Sequence, residues 1–227
     1  MTSLYIVRHG ETDFNDHDGE GDRIRGWLDI PLNERGHQEA ERLGGMLRGK
    51  IGTVVTSDLS RARDTAEAIS RHTGVRVVVT PKLRPWNLGE LHGQHSSKSK
   101  PIIERGISNP DEPVKGGESF NQFRVRALGG IEDAMKERGP VAITTHHRVE
   151  RLLKAWKATG ETNPSISRSE FETKGERPGS VEYMDLNHYP LSLKSSRRPG
   201  IGGLLTGEYP QRLRQGASPV GAKFPST

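Results

Sequence analysis

Two histidines in this 227-residue chain stand directly behind short apolar runs: His9 after residues 4–7 (LYIV), and His146 after Val141–Thr145 (VAITT). A short apolar run that empties into a polar loop has the pattern of a buried strand. In a parallel sheet the carboxyl ends of the strands share one edge, and ligands bind in the crevice beyond it, so both imidazoles are expected to face one site. Arg8 immediately precedes His9. Arg61 follows a third, β-branched run (residues 53–57, TVVTS) and lies near the start of the next helix, where main-chain N–H groups also favour an anion. Planar guanidinium groups offer paired donors that match the equatorial oxygens of a phosphoryl group. A neutral histidine whose second nitrogen is held by a carbonyl or carboxylate is competent to attack phosphorus. These types in these places point to phosphoryl chemistry.

The elements that must position these residues are legible as periodicities. Ala40, Leu43, Met46 and Leu47 recur at helical spacing within residues 37–50, and Ser60 is placed to cap a helix through Ala62, Ala66 and Ile69 that stops at Gly74. Residues 75–80 (VRVVVT) read as another strand. The Gly-, Pro- and Ser-rich stretch 83–117 reads as a long excursion over the site, a short lid over about residues 84–118. Ser119 opens a helix with Phe120, Phe123, Ala127, Ile131 and Met135 inward. Val149, Leu152, Leu153 and Trp156 give the helix behind His146, and residues 181–186 read as a last strand. Strands alternating with helices predict an α/β fold, a three-layer α/β/α sandwich around a mainly parallel sheet.

Bulk properties narrow the function classes. Cysteine is absent, which excludes disulfides, thiolate catalysis and cysteine-ligated zinc and fits a reducing compartment. No run approaches the roughly 20 apolar residues of a membrane-spanning helix, and no signal-type segment opens the chain, so a soluble cytoplasmic protein is expected. The net charge of +5 resides in the C-terminal segment: residues 187–227 hold six basic side chains against Glu208 alone, while residues 1–186 carry 28 of each sign. Eleven of those last 41 residues are Gly or Pro. The division expected is therefore a catalytic domain over 1–190 and a basic, flexible tail over 191–227. Without interleaved aromatics or a recognisable nucleic-acid fold, the tail argues against a nucleic-acid partner.

Five ordered blocks then carry a resemblance: Arg8-His9-Gly10-Glu11-Thr12 with Asn15; residues 26–32 (GWLDIPL) with Gly36; Ser57-Asp58-Leu59-Ser60-Arg61-Ala62 with Thr65-Ala66; Gly116-Gly117-Glu118-Ser119; and Thr145-His146 with Arg151. Together they resemble the histidine phosphatase superfamily, also called phosphoglycerate mutase-like, over residues 3–186. One such tripeptide arises by chance; five in order on strand ends do not. The resemblance implies that His9 becomes phosphohistidine, that Arg8, Arg61 and His146 hold the phosphoryl group with help from Asn15, and that water or an acceptor hydroxyl then takes the phosphate. It implies a metal-independent phosphomonoester hydrolase without cofactor, acting on a small phosphorylated substrate; a homodimer is left open.

Two departures from the family pattern matter. The proton-donating glutamate that commonly follows a Leu-Arg pair is replaced by Pro85, which leaves Glu90 as the first candidate acid and His92 and Asp58 behind it. A long basic insertion before the Gly-Gly-Glu-Ser turn marks the mutase branch, and only a short mixed segment stands here, which favours a hydrolase. The competing readings are a mutase-type phosphotransferase, a catalytically weakened phosphate-binding protein, and a nucleic-acid-associated protein acting through the tail.

Single residues also have plainer readings. His147 and Arg148 read as solvated or capping residues at a helix start, and His17 and Asp18, amid Asp13, Asp16, Glu20 and Asp22, as a solvated acidic loop whose spacing is too irregular for a hard cation. Trp27 and Trp86 are candidates to line a pocket; Trp156 belongs in the core. Because the tail shows no patterned apolar face, deleting residues from about 192 onward should leave the thermal midpoint and turnover nearly unchanged. An insoluble or inactive truncation would show that the tail packs on the catalytic body.

Overall fold

The computed structural model describes residues 3–15, 22–159 and 177–186, all within one compact unit. The acidic-loop positions 16–21 and the basic tail lie outside the described residues. Strand β1 (Ser3–Arg8) is followed by helix α1 (Glu34–Leu47), β2 (Thr53–Thr56), α2 (Ser60–Thr73) and β3 (Val77–Val79). Two 3-10 turns (Pro81–Leu83 and Gly89–Leu91) lead to α3 (Ser96–Ser108), then α4 (Phe120–Met135), β4 (Val141–Thr145), α5 (His147–Thr159) and β5 (Val181–Asp185).

The five strands form one sheet in the order β3-β2-β4-β1-β5, in which only β5 runs antiparallel. Register divides its two faces. Ile6 lies opposite Ile143, which lies opposite Val55; one residue away, Tyr5, Ala142 and Val54 are aligned and point the other way. The Ile6, Val55 and Ile143 face joins the larger apolar cluster with Phe123 and Ile131 of α4 and Leu152 and Trp156 of α5. Val54 and Ala142, with Val7, join a second cluster with Leu43 and Leu47 of α1 and Ala66 and Ile69 of α2. The helices therefore cover both faces, giving the three-layer α/β sandwich. The chain steps from β1 to β2 to β3 in one direction over one face, then reverses and crosses the other, as right-handed crossovers require.

Several boundaries differ from the sequence expectation for identifiable reasons. Ser60 is not the cap of α2: Leu59 occupies that position and lends no side-chain bond, and the Ser60 amide instead donates to Asp29 Oδ1 at 2.7 Å from a loop 31 residues earlier. The stretch over 84–118, expected as a lid without a helix of its own, contains the 13-residue helix α3. Its serine- and lysine-rich first half and internal Pro101 hide it: the buried residue there is the polar Ser99, and the apolar buried residues, Ile103 and Ile107, come only in the second half. By contrast α4 opens as its sequence requires, with a reciprocal capping box between Ser119 and Gln122.

The segment after β1 is locked onto the start of α1. The Asn33 amide donates to the Glu11 carbonyl at 3.0 Å, and Asn33 Oδ1 accepts from the Gly36 amide at 2.9 Å. A Cβ at Gly36 would sit 2.1 Å from the Glu11 carbonyl oxygen, against backbone that cannot yield cheaply. Alanine would improve helix propensity by at most about 1 kcal/mol. Overpacking of this kind costs about 1–3 kcal/mol, so the clash sets the sign. Gly36→Ala should lower the urea midpoint and displace the loop after His9; an unchanged or raised midpoint would show that the loop and helix are not in this contact.

Candidate functional site

The site is assembled by the β1–β4 ladder. Arg8 is in register with Thr145, and the His9 amide donates to the Thr145 carbonyl at 3.0 Å, so the next residue of each strand leaves the sheet at the same point. The His9 and His146 rings consequently lie 5.1 Å apart between centroids, at 60° to one another, and both are buried. β2 ends beside them, and Ser57 Oγ lies 2.7 Å from His146 Nε2.

A backbone carbonyl selects the form of the His9 imidazole, and Ser57 offers His146 a hydroxyl. His9 Nδ1 is 2.6 Å from the Gly10 carbonyl oxygen, which can only accept, so Nδ1 carries the proton and Nε2 the lone pair. The Leu59 amide donates to Ser57 Oγ at 3.3 Å, leaving the Ser57 hydroxyl proton available to His146 Nε2. In that tautomer His146 Nδ1–H is a buried donor with no acceptor among the described residues. Burial holds both histidines well below the ordinary imidazole value, and Arg61, Arg25 and Arg8 push further in the same direction. Both rings are neutral at physiological pH.

Both histidines line a cavity of about 450 Å³. Arg61, 1% exposed, spans it to the preceding loop: Nη1 donates to the Leu28 carbonyl at 2.8 Å and Nη2 to the Gly26 carbonyl at 2.9 Å. Charge-assisted bonds of this kind contribute about 1.5–3 kcal/mol each. Arg61 therefore braces the wall that carries Arg25, which lines the cavity and is paired with Asp22 at 3.1 Å. Burial pushes Arg61 down to about 9, with Arg25 second, and it remains a cation at neutral pH. Arg8 is buried and lowered to about 10, again chiefly by desolvation, but it stands behind the lining residues.

Other expected site residues are placed differently. Asn15 Oδ1 accepts from the Thr12 amide and hydroxyl, each at 3.0 Å, and so holds the turn beyond His9; it does not line the cavity. The structure does not bring Glu90 to the cavity. Its amide is pinned to the Lys115 carbonyl at 3.1 Å, and its carboxylate, 59% exposed, pairs with Lys115 Nζ at 2.9 Å. His92 Nε2 accepts from the Leu88 and Trp27 amides, and the Asp58 carboxylate is engaged by Arg84; neither faces the cavity.

Trp86 borders the cavity from the core, edge-on to Phe120 and stacked with Phe123, whereas Trp27 lies beneath Arg84 and Arg126 and donates to the Pro85 carbonyl at 2.8 Å. The Gly-Gly-Glu-Ser turn acts on the same segment. Glu118 takes the Asn87 amide and the Arg126 guanidinium, while Arg126 also donates to the Lys82, Arg84 and Pro85 carbonyls.

Residues that sequence reasoning passed over complete the lining. Arg23 and Arg25 flank the buried Ile24, immediately before the Gly26-Trp27 block, so adjacency to that block was an available signal. Ser96, Lys100, Ile103, Glu104 and Ile107 come from one face of α3, the helix the composition concealed. His147 and Arg148, which read as ordinary helix-start residues, both line the cavity.

Known proteins share the fold and much of the sequence of this chain. The family model of the histidine phosphatase superfamily (branch 1) matches residues 4–177. Phosphoglycerate mutase-like protein 4 of Arabidopsis thaliana is 37% identical over 163 residues, which cover 66% of this chain and 68% of that protein. A probable phosphoglycerate mutase GpmB of Erwinia tasmaniensis is 44% identical over 141 residues, covering 58% of this chain and 62% of that protein. The chain thus spans about two thirds or less of the length of these relatives. Among solved structures, TTHB049 of Thermus thermophilus superposes with a TM-score of 0.62 at 31% identity, covering 82% of this chain and 95% of that one. A mycobacterial glucosyl-3-phosphoglycerate phosphatase superposes at 0.65 with 25% identity, covering 80% and 89%.

The depressed histidines make stability depend on pH. A histidine neutral in the fold but basic when unfolded contributes fully above its unfolded value near 6.5; the contribution falls as pH drops below it, because only the unfolded chain takes the proton. The loss is about 1.4 kcal/mol per pH unit for each such group. The unfolding free energy should therefore decline between pH 6.5 and 5, and His9→Asn, which cannot titrate, should remove about one group's share of the slope. An identical slope in wild type and His9→Asn would mean that His9 is not held neutral.

Proposed function

The chain belongs to branch 1 of the histidine phosphatase superfamily, and we propose that within it the protein hydrolyses phosphomonoesters through a phosphohistidine at His9. The observation that carries this reading is the tautomer of His9: Nδ1–H is fixed on the Gly10 carbonyl at 2.6 Å, and the lone pair is left on Nε2 of a ring that lines a cationic cavity.

His9 Nε2 attacks phosphorus as the ester oxygen departs with the electron pair of the P–O bond and takes up a proton from solvent, or leaves as the anion where its conjugate acid is strong enough. The phosphoryl group then resides on Nε2, with the imidazolium charge offset by its oxygens and Nδ1–H still bound to Gly10 O. Water attacks from the vacated side, loses its proton, and releases phosphate and neutral His9. The ring is desolvated and neutral beforehand, so no proton must be removed before attack. His146 supplies a buried N–H donor beside the same group, and Arg25, Arg61 and Arg8 supply fixed positive charge. That charge comes from side chains, so the scheme has no step that calls for a metal ion.

Hydrolysis is favoured over transfer because only residues 109–115 separate α3 from the Gly-Gly-Glu-Ser turn. The relatives named phosphoglycerate mutases support a second reading, in which an acceptor hydroxyl replaces water in the same second step. With proline at position 85 and Glu90 turned to Lys115, no carboxylate stands at the expected acid position, so an ester whose leaving group needs no proton is the suitable reporter.

With 4-nitrophenyl phosphate, the wild-type protein quenched during turnover should carry acid-labile, base-stable phosphate, and His9→Ala should carry none and lose at least about 10³-fold in kcat. Full turnover by His9→Ala would reject the mechanism. Phosphate appearing on an added alcohol in preference to water would favour the transferase reading.

A further inference from the structure

We propose that Glu104 of α3 is the general acid of the cavity, giving the departing alcohol oxygen the proton that solvent would otherwise have to supply. This deepens the His9 reading and rests on it for the position of phosphorus. An alkyl ester needs such a donor, because an alkoxide leaves slowly unless it is protonated as the P–O bond breaks. Position 85, where the family commonly carries its acid, holds a proline, and Glu90, His92 and Asp58 all lie away from the cavity.

Two carboxylates line the cavity among the described residues, Asp22 and Glu104. Asp22 is engaged as an acceptor: Oδ1 and Oδ2 take the two terminal nitrogens of Arg25 at 3.1 and 3.3 Å, and Oδ2 also lies 3.4 Å from Ser96 Oγ. A bidentate guanidinium occupies both oxygens, so Asp22 anchors Arg25. Glu104 Oε1 lies 3.8 Å from Lys100 Nζ, an ion pair too long to be a hydrogen bond. Its side chain is 21% exposed, against 59% for Glu90, so it is partly withdrawn from bulk solvent where Glu90 is not.

The helix carries Glu104 to the wall that lacks an acid. At its start α3 is tethered to the loop that bears Arg25: the Ser96 amide donates to the Asp22 carbonyl at 2.8 Å, and His95 forms a β-bridge with Arg23. Its second half rests on Trp86. A Cβ at Gly106 would lie 3.0 Å from Trp86 Cη2, and Ile103 and Ile107 belong to the same apolar cluster as that ring. Glu104 stands in this second half, on the face that lines the cavity with Lys100, Ile103 and Ile107. Pro85, next to Trp86, borders the same cavity, so α3 brings a carboxyl to the wall from which proline has removed one. At about 450 Å³ the cavity is toward the small end of ligand pockets, and an ester with phosphorus at His9 also meets α3. In the first step the Glu104 carboxylic acid gives its proton to the ester oxygen as that oxygen leaves with the electron pair of the P–O bond. In the second, the Glu104 carboxylate takes a proton from the attacking water as the P–Nε2 bond breaks and its electron pair returns to Nε2. Phosphate is released, and neutral His9 and the acid are restored.

Two esters built on one ring separate this role from a structural one. Benzyl phosphate releases an alcohol that needs a proton, whereas 4-nitrophenyl phosphate releases a phenolate that is stable without one. We would measure kcat/KM for both on the wild-type protein and on Glu104→Gln, which keeps the size of the side chain and loses only the acid. The value for benzyl phosphate should fall about 10²–10⁴-fold, while that for 4-nitrophenyl phosphate changes by less than about tenfold and labelling of His9 persists. Glu90→Gln should leave both values as in wild type. Because both esters are measured on one preparation, a partly unfolded variant lowers both rates and leaves their ratio unchanged. The assignment is overturned by a ratio in Glu104→Gln equal to that of wild type, or by a wild type that turns over 4-nitrophenyl phosphate alone. A benzyl-selective loss in Asp22→Asn or Lys100→Met that Glu104→Gln does not show overturns it equally. Failure of the His9 reading would appear separately, as turnover without phosphohistidine in which the benzyl-selective effect of Glu104→Gln persists.

Discussion

Everything in the site depends on the parallel pairing of β1 with β4. The ladder brings Arg8 opposite Thr145 and is closed by the His9 amide on the Thr145 carbonyl, so two chain segments separated by more than 130 residues leave the sheet side by side. A slip of one residue in that register would turn each imidazole to the other face, because side chains alternate along a strand. The register is secured by burial on both faces. Ile6 and Ile143 pack under α4 and α5, while Val7 and Ala142 pack under α1 and α2. The two apolar clusters thus hold the geometry of the site from behind.

The second constraint is electrostatic. Like charges have been concentrated around two neutral rings, and the arginines nearest to them are kept in place by backbone carbonyls as well as by carboxylates. Arg61 illustrates the consequence: bonds to Gly26 and Leu28 fix its position without neutralising it, so the positive field at His9 and His146 persists. Neutral acceptors orient, whereas a carboxylate would also cancel. The same logic explains why the histidines stay unprotonated, since desolvation and the surrounding cations act in one direction. An anion entering the cavity meets donors that need little reorganisation.

A third layer of organisation lies behind the cavity wall. Glu118, Arg126, Arg84, Asp58 and Trp27 form a connected set of ion pairs, carbonyl bonds and cation–ring contacts around residues 82–87. The set fixes the backbone at Pro85 and Trp86, and through Trp86 the floor beneath Arg148. The turn that helps to define the family is thereby given a structural task in this chain: its glutamate ties the segment between the two 3-10 turns to helix α4.

The α/β class, the order of the strands along the chain, the start of a helix at Ser119 and the pairing of His9 with His146 at one sheet edge were determined by sequence alone. Each rests on local periodicity or on the rule that parallel strands share an edge. Tertiary structure decided the rest. The capping of α2 by Asp29 is a contact across 31 residues and has no local signature. Helix α3 owes its existence to packing, since Ile103, Gly106 and Ile107 are buried while serine, lysine and Pro101 weaken the local preference. Glu90 lies away from the cavity and Arg148 lines it for the same reason. Which way a side chain faces depends on the backbone bonds of its turn and on what packs behind it: the Lys115 carbonyl holds Glu90 at the surface, and the buried face of Trp86 receives Arg148 at the cavity. A sequence states the charge a residue carries; only the packed chain states what that charge is left to meet.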